Sequence, residues 1–92
     1  MGRSSRPRPE RLALKLLRIR EALGVSQVEM VRLLEQPKVH PAHVSGYERG
    51  EREPSLPALL RYAHLAGVCL DVIVDDSLDL PAKLPAKPKH KT

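Results

Sequence analysis

Apolar positions recur at helical spacing through most of the chain. Over residues 10–23, Leu12, Leu16, Ile19 and Leu23 stand 4, 3 and 4 apart, which draws one apolar stripe along a helix and leaves Arg11, Lys15 and Arg18 largely outside it. Gly24 supplies the stop. Ser26 followed by Glu29 has the spacing of a capping box, so residues 26–35 are predicted to form a second helix with Met30, Val31 and Leu34 inward. Pro37 is expected to end it. Pro41 suits the first turn of a third helix, where the missing N–H is no loss; Val44 and Tyr47 give that helix one buried edge, and Gly50 closes it. Ser55 is an N-cap for a fourth helix over 56–66, with Leu56, Leu59, Leu60 and Ala63 inward and Gly67 at its end.

Residues 69–76 read two ways. Leu70, Val72 and Val74 alternate as in a strand, yet eight residues opened by a Cys69 cap equally make one or two helical turns. The helix is the preferred reading. Four or five short helices with brief connections imply a compact all-α domain. No repeat is visible, so a solenoid is excluded.

Length and composition narrow the classes. At 92 residues the chain has room for one core. Two Tyr with no Phe or Trp make that core aliphatic and argue against RNA-recognition sheets and single-strand-binding barrels, whose bases stack on aromatic platforms. A lone cysteine, Cys69, forms no intramolecular disulfide, which favours the cytoplasm. Charge follows directly on the N-terminal residues, unlike a secretory signal. The longest near-apolar run, 65–73, is too short for a membrane and contains Asp71.

A net charge of +5 points to polyanions, but it is unevenly placed. Arg3, Arg6 and Arg8 give +3 within residues 1–9, and Lys83, Lys87, Lys89 and Lys91 give +4 within 81–92, which leaves −2 for the body at 10–80. Both ends are proline-bearing and acid-free, and are expected to be a disordered basic arm and tail.

The second and third helices, joined by a short turn, form the unit that lodges its second member in the DNA major groove. The segments IREALGVSQ, VSGYERGEREPS and LPALLRYAHLAGV stand in an order and spacing that resembles the Xre/Cro family of phage-repressor-like helix-turn-helix proteins, over about residues 12–74. The resemblance implies a four- to five-helix DNA-binding domain, a transcriptional regulator and most simply a repressor, acting on double-stranded DNA as a homodimer. It implies that Arg20 pairs with Glu48, locking the first helix against the recognition helix at 41–48. Gln27, Arg49 and Arg52 then meet phosphates, and His40, Pro41, Ala42, His43, Ser45 and Gly46 occupy the base-reading half of that helix. Residues 35–38, EQPK, depart from the family pattern: the turn is about three residues longer and lacks glycine. It either lengthens the second helix or bulges toward DNA with Lys38 as an added phosphate contact. The reading surface is poor in long side chains, so discrimination rests on His40, His43 and Ser45, with help from DNA shape. Arg3, Arg6 and Arg8 could follow phosphates or enter the minor groove as an arm.

Plainer readings stand beside these. His40 and His43 lack a carboxylate or thiolate neighbour and are not expected to bind a metal. His64 is a surface group at a helix C-terminus. Cys69 is a small buried hydrophobe or a cap. Asp75, Asp76 and Asp79 form a solvated end of the domain. Tyr47 packs between helices and does not stack on bases. No phosphate loop, dinucleotide fingerprint or hydrolase motif is present, so neither an enzyme nor a cofactor is expected. Leu70, Val72, Ile73 and Val74 exceed what a small body buries and are the expected dimer surface. A second class of function is a protein-interaction module, antitoxin-like or an adaptor, in which a toxin or another regulator takes the acidic surface of the same fold.

Overall fold

The computed structural model describes residues 9–84. Five helices follow in order: α1 (Leu12–Leu23), α2 (Gln27–Leu34), α3 (Pro41–Glu48), α4 (Leu56–Ala66) and α5 (Leu70–Val74). The C-terminal segment is helical, and no strand occurs among the described residues. No helix there is long and apolar enough to cross a membrane.

The helix ends follow local chemistry. Gly24 and Gly67 take left-handed backbone, φ 73° and 74°, and close α1 and α4. The Ser26 hydroxyl accepts from the Glu29 N–H at 3.1 Å, and Ser55 accepts from Ala58 at 3.3 Å. α2 stops before the proline expected to end it. Glu35 adopts φ 57°, the only non-glycine residue with positive φ among those described. The turn therefore begins ahead of Pro37 and does not lengthen α2. Arg61 of α4 stabilises this end by donating to the Leu33 carbonyl at 2.9 Å, with the Glu35 carboxylate 3.6 Å away.

α1 packs against α3, α4 and α5, while α2 packs against α3 and α4. Leu12, Leu16, Ile19 and Leu23 are all buried, so the stripe read in α1 is its core face. Met30 and Leu34 of α2, with Val44 and Tyr47 of α3, complete the side that carries α3. The phase expected for α4 is corrected in part: Leu59 and Ala63 face inward as expected, with Ala58, Tyr62 and Ala66 beside them, but Leu56 and Leu60 are exposed. Small alanines let neighbouring helices approach, while the ring of Tyr62 fills the centre.

The C-terminal end adds contacts that the sequence does not announce. Lys15 is buried, and its ammonium donates to the carbonyls of Val72, Asp75 and Leu78 at 2.8, 3.0 and 2.7 Å. It satisfies acceptors that α5 leaves unpaired at its end. The Asp76 carboxylate, at an exposed site, accepts the N–H of Glu10 at 2.9 Å and of Arg11 at 3.0 Å, capping the start of α1 from a distant part of the chain. The Arg11 guanidinium also binds the Asp76 carbonyl and the Asp79 carboxylate. Cys69 is exposed at the N-cap position of α5, with no side-chain cap bond. Of the segment expected as a dimer surface, Ile73 is fully buried, while Leu70, Val72 and Val74 are half-buried, Leu70 and Val74 against the core.

Candidate nucleic-acid interface

α3 is short and sparsely functionalised, so its placement matters more than its composition. His40 stands in extended backbone at its N-cap and Pro41 occupies the first turn. The His43 ring reaches back, Nδ1 accepting the His40 N–H at 3.1 Å. A ring nitrogen that accepts carries no proton, so the neutral ring presents Nε2–H as its donor. The two imidazoles lie 5.2 Å apart and tilted.

Along the outer side of α3, Pro41 and Ala42 are exposed and Ser45 is half-buried, while Val44 and Tyr47 face the core. Gly46, the last of the base-reading candidates, is buried. A Cβ there would lie 3.2 Å from the Arg52 Cβ, so the glycine serves the close approach of the loop after α3 and offers little to a base edge.

One hydrogen-bonded cluster fixes the angle of α3. Arg20 Nε donates to Glu48 Oε2 at 2.7 Å and Nη2 donates to Oε1 at 3.0 Å, a forked pair with little solvent access. Arg20 Nη1 also donates to the Val25 carbonyl at 3.0 Å, tying in the turn between α1 and α2. The hydrogen bonds that Arg20 donates to Glu48 raise its pKa above the ordinary value, against the opposing effect of burial. Gln27, expected only at a phosphate, joins this cluster by donating from Nε2 to Glu48 Oε1 at 3.0 Å. Its amide orientation is thereby set, with the second Nε2 hydrogen still available at the start of α2.

The remaining cations surround α3. Arg49 is exposed at its C-cap and donates to the Ser45 hydroxyl and to the Glu51 carboxylate. Lys38 from the long turn and Arg52 from the loop after α3 line one cleft of about 400 Å³ with His43, Tyr47 and Ser55. The turn over 35–40 thus forms one wall of a groove beside α3 whose charged lining is Lys38, Arg52 and Glu53. Arg3, Arg6 and Arg8 lie outside the described residues. Among those described, no group of three or more His, Cys, Asp or Glu side chains could hold a metal ion.

Sequence reasoning missed the Glu51 carboxylate beside Arg49 and the hold of Arg61 on the turn. The alternating Arg49-Gly50-Glu51-Arg52 charges were visible, but their pairing depends on the backbone reversal at Gly50, φ 74°.

A helix-turn-helix domain family model matches residues 11–73, which takes in all of α1 to α4 and most of α5. No curated relative and no solved structure matches the chain. The match spans more than half of the sequence and contains the α2–turn–α3 unit just described, so this chain belongs to the helix-turn-helix domain family, whose fold is a DNA-binding one.

Proposed function

We propose that the protein is a sequence-specific double-stranded DNA-binding regulator of the Xre/Cro type, acting in the cytoplasm as a repressor and without catalytic activity. The observation that carries this reading is the Arg20–Glu48–Gln27 cluster, which holds α3 at a fixed angle to α1 and α2 with Pro41, Ala42 and Ser45 on its outer side. α3 enters the major groove. Ala42 offers a methyl to thymine, His43 an Nε2–H donor and Ser45 a hydroxyl, while His40 lies at the entering end. Gln27, Lys38, Arg49 and Arg52 meet phosphates on either side and set register without reading sequence. The basic arm and tail add sequence-independent, salt-sensitive attraction to a body whose own charge is −2 over residues 10–80. One α3 reads only a few base pairs, so two copies on a pseudo-palindrome are the economical arrangement.

Mobility shift with two variants tests the division of labour. Arg49→Ala is expected to weaken binding to every duplex alike and to reduce the slope of log affinity against log salt, by less than the roughly 0.9 of a free phosphate contact. Ser45→Ala is expected to alter preference at one base pair while leaving that slope unchanged. If neither variant nor the parent protein distinguishes one duplex from another, the sequence-specific reading is wrong.

A further inference from the structure

We infer that Glu51 is an affinity-setting residue of this DNA site: it occupies Arg49 in the free protein, and a DNA phosphate must displace it before Arg49 can clamp the backbone. The inference rests on the DNA-binding reading above. Arg49 Nη2 donates to Glu51 Oε1 at 2.9 Å. The backbone builds this contact. Gly50 turns the chain through left-handed φ, and the Glu51 N–H returns to the Gly46 carbonyl at 2.9 Å, which places the carboxylate beside the last turn of α3. The two side chains are 55% and 63% exposed, so the pair lies where solvent and a phosphate can both reach it.

A carboxylate and a phosphate ask the same thing of a guanidinium: N–H donors facing a pair of anionic oxygens. Both cannot take the same edge of Arg49. The bound state must break the Arg49–Glu51 bond or pull the DNA phosphate onto the remaining donors, and it leaves a carboxylate close to the polyanion in either case. An ion pair has no net charge to exchange for counterions. Arg49 therefore contributes less to the salt dependence than a free arginine would. Duplexes that hold α3 only loosely gain too little to displace Glu51, and weak binding is suppressed by the protein's own side chain.

The experiment is a double-mutant cycle on DNA binding, read by fluorescence anisotropy with one labelled duplex across a salt series. It uses the full chain, Glu51→Gln, Arg49→Ala and the double variant. Glu51→Gln keeps the side-chain shape at an exposed site. It is expected to tighten binding about 2- to 5-fold, the range of an exposed ion pair, and to steepen the salt slope. In the Arg49→Ala background the same substitution should change affinity by less than about 1.5-fold. An undiminished gain without Arg49 would show that Glu51 acts by general repulsion and overturns the inference, as does an unchanged affinity in Glu51→Gln alone. A parent protein that is folded by circular dichroism yet binds no duplex overturns the underlying DNA-binding reading instead.

Discussion

The carboxylate of Glu48 receives the Arg20 guanidinium through two near-parallel hydrogen bonds of 2.7 and 3.0 Å, and this pair joins α1 to the last turn of α3. The Glu48 side chain is 5% exposed and that of Arg20 18%, so breaking the pair strands a charge with little water around it.

Glu48→Ala should therefore destabilise the fold by about 2–3 kcal/mol, somewhat under the range for a fully buried pair because Arg20 keeps some solvent access. Arg20→Ala should cost a similar amount, and the double variant should cost less than the two singles together. Urea denaturation of the four proteins checks this. A fully additive result means that the two side chains do not act as a pair.

Lys15 predicts a second, local loss. Replacing it with Met keeps the buried stem and removes the ammonium that serves the carbonyls of Val72, Asp75 and Leu78. Leaving partly buried acceptors without a donor costs about 1–3 kcal/mol. Amide exchange should rise first in α5 and the residues after it, with α2 and α3 little affected; uniform acceleration across the domain contradicts the local role.

Acid should act through Asp76. The N–H groups of Glu10 and Arg11 stabilise its ionised form and hold its pKa below the ordinary 3.8. A carboxylate with a lowered folded-state pKa contributes stability that is full above its unfolded value and vanishes as pH falls through the folded one. Asp75, lowered by its bonds to Ser77, adds in the same direction. The melting temperature should fall below about pH 4, and Asp76→Asn should make that fall shallower. An unchanged acid limb in the variant means that the cap carries no linkage.

Tyr62 is fully buried, and its hydroxyl has no hydrogen-bond partner among the described residues. Burial raises its pKa strongly, with Glu48 and Tyr47 adding to the effect. Removing an unsatisfied buried hydroxyl while keeping the ring should be neutral or stabilising by up to about 1 kcal/mol in Tyr62→Phe. A loss greater than that, measured in urea, shows that the hydroxyl has a partner in solution.

Much of this fold was legible because its helices are punctuated by local chemistry. Gly24, Ser26, Pro41, Ser55 and Gly67 mark boundaries by short-range hydrogen bonds or backbone preference, and they stand where those rules place them. The Arg20–Glu48 pair came from family resemblance, and no local rule reaches across the residues between them. Lys15 escapes sequence reading for the same reason: it looks like a solvent-facing charge until a segment more than fifty residues away covers it, and the exposed Asp76 takes its two N–H donors from equally far along the chain. In α4, Leu59 and Ala63 are inward as expected but Leu56 and Leu60 are not, because leucines occur on both of its sides and alanine with tyrosine marks the core face less plainly than leucine does. The candidate site was readable as a set of residues. What the sequence could not show was that Gln27 joins Glu48, that Gly46 meets Arg52, or that Arg49 has an acidic neighbour.

Selection of bound sites from randomised double-stranded DNA tests the central claim most directly, because it asks at once for duplex binding, preference and symmetry. The expected result is enrichment of two inverted half-sites with centres about one helical turn, or 10–10.5 bp, apart. Their preference should shift at a single base pair in Ser45→Ala. A selection that returns no motif from a folded protein, or that enriches only by overall base composition, contradicts the claim that α3 reads DNA sequence.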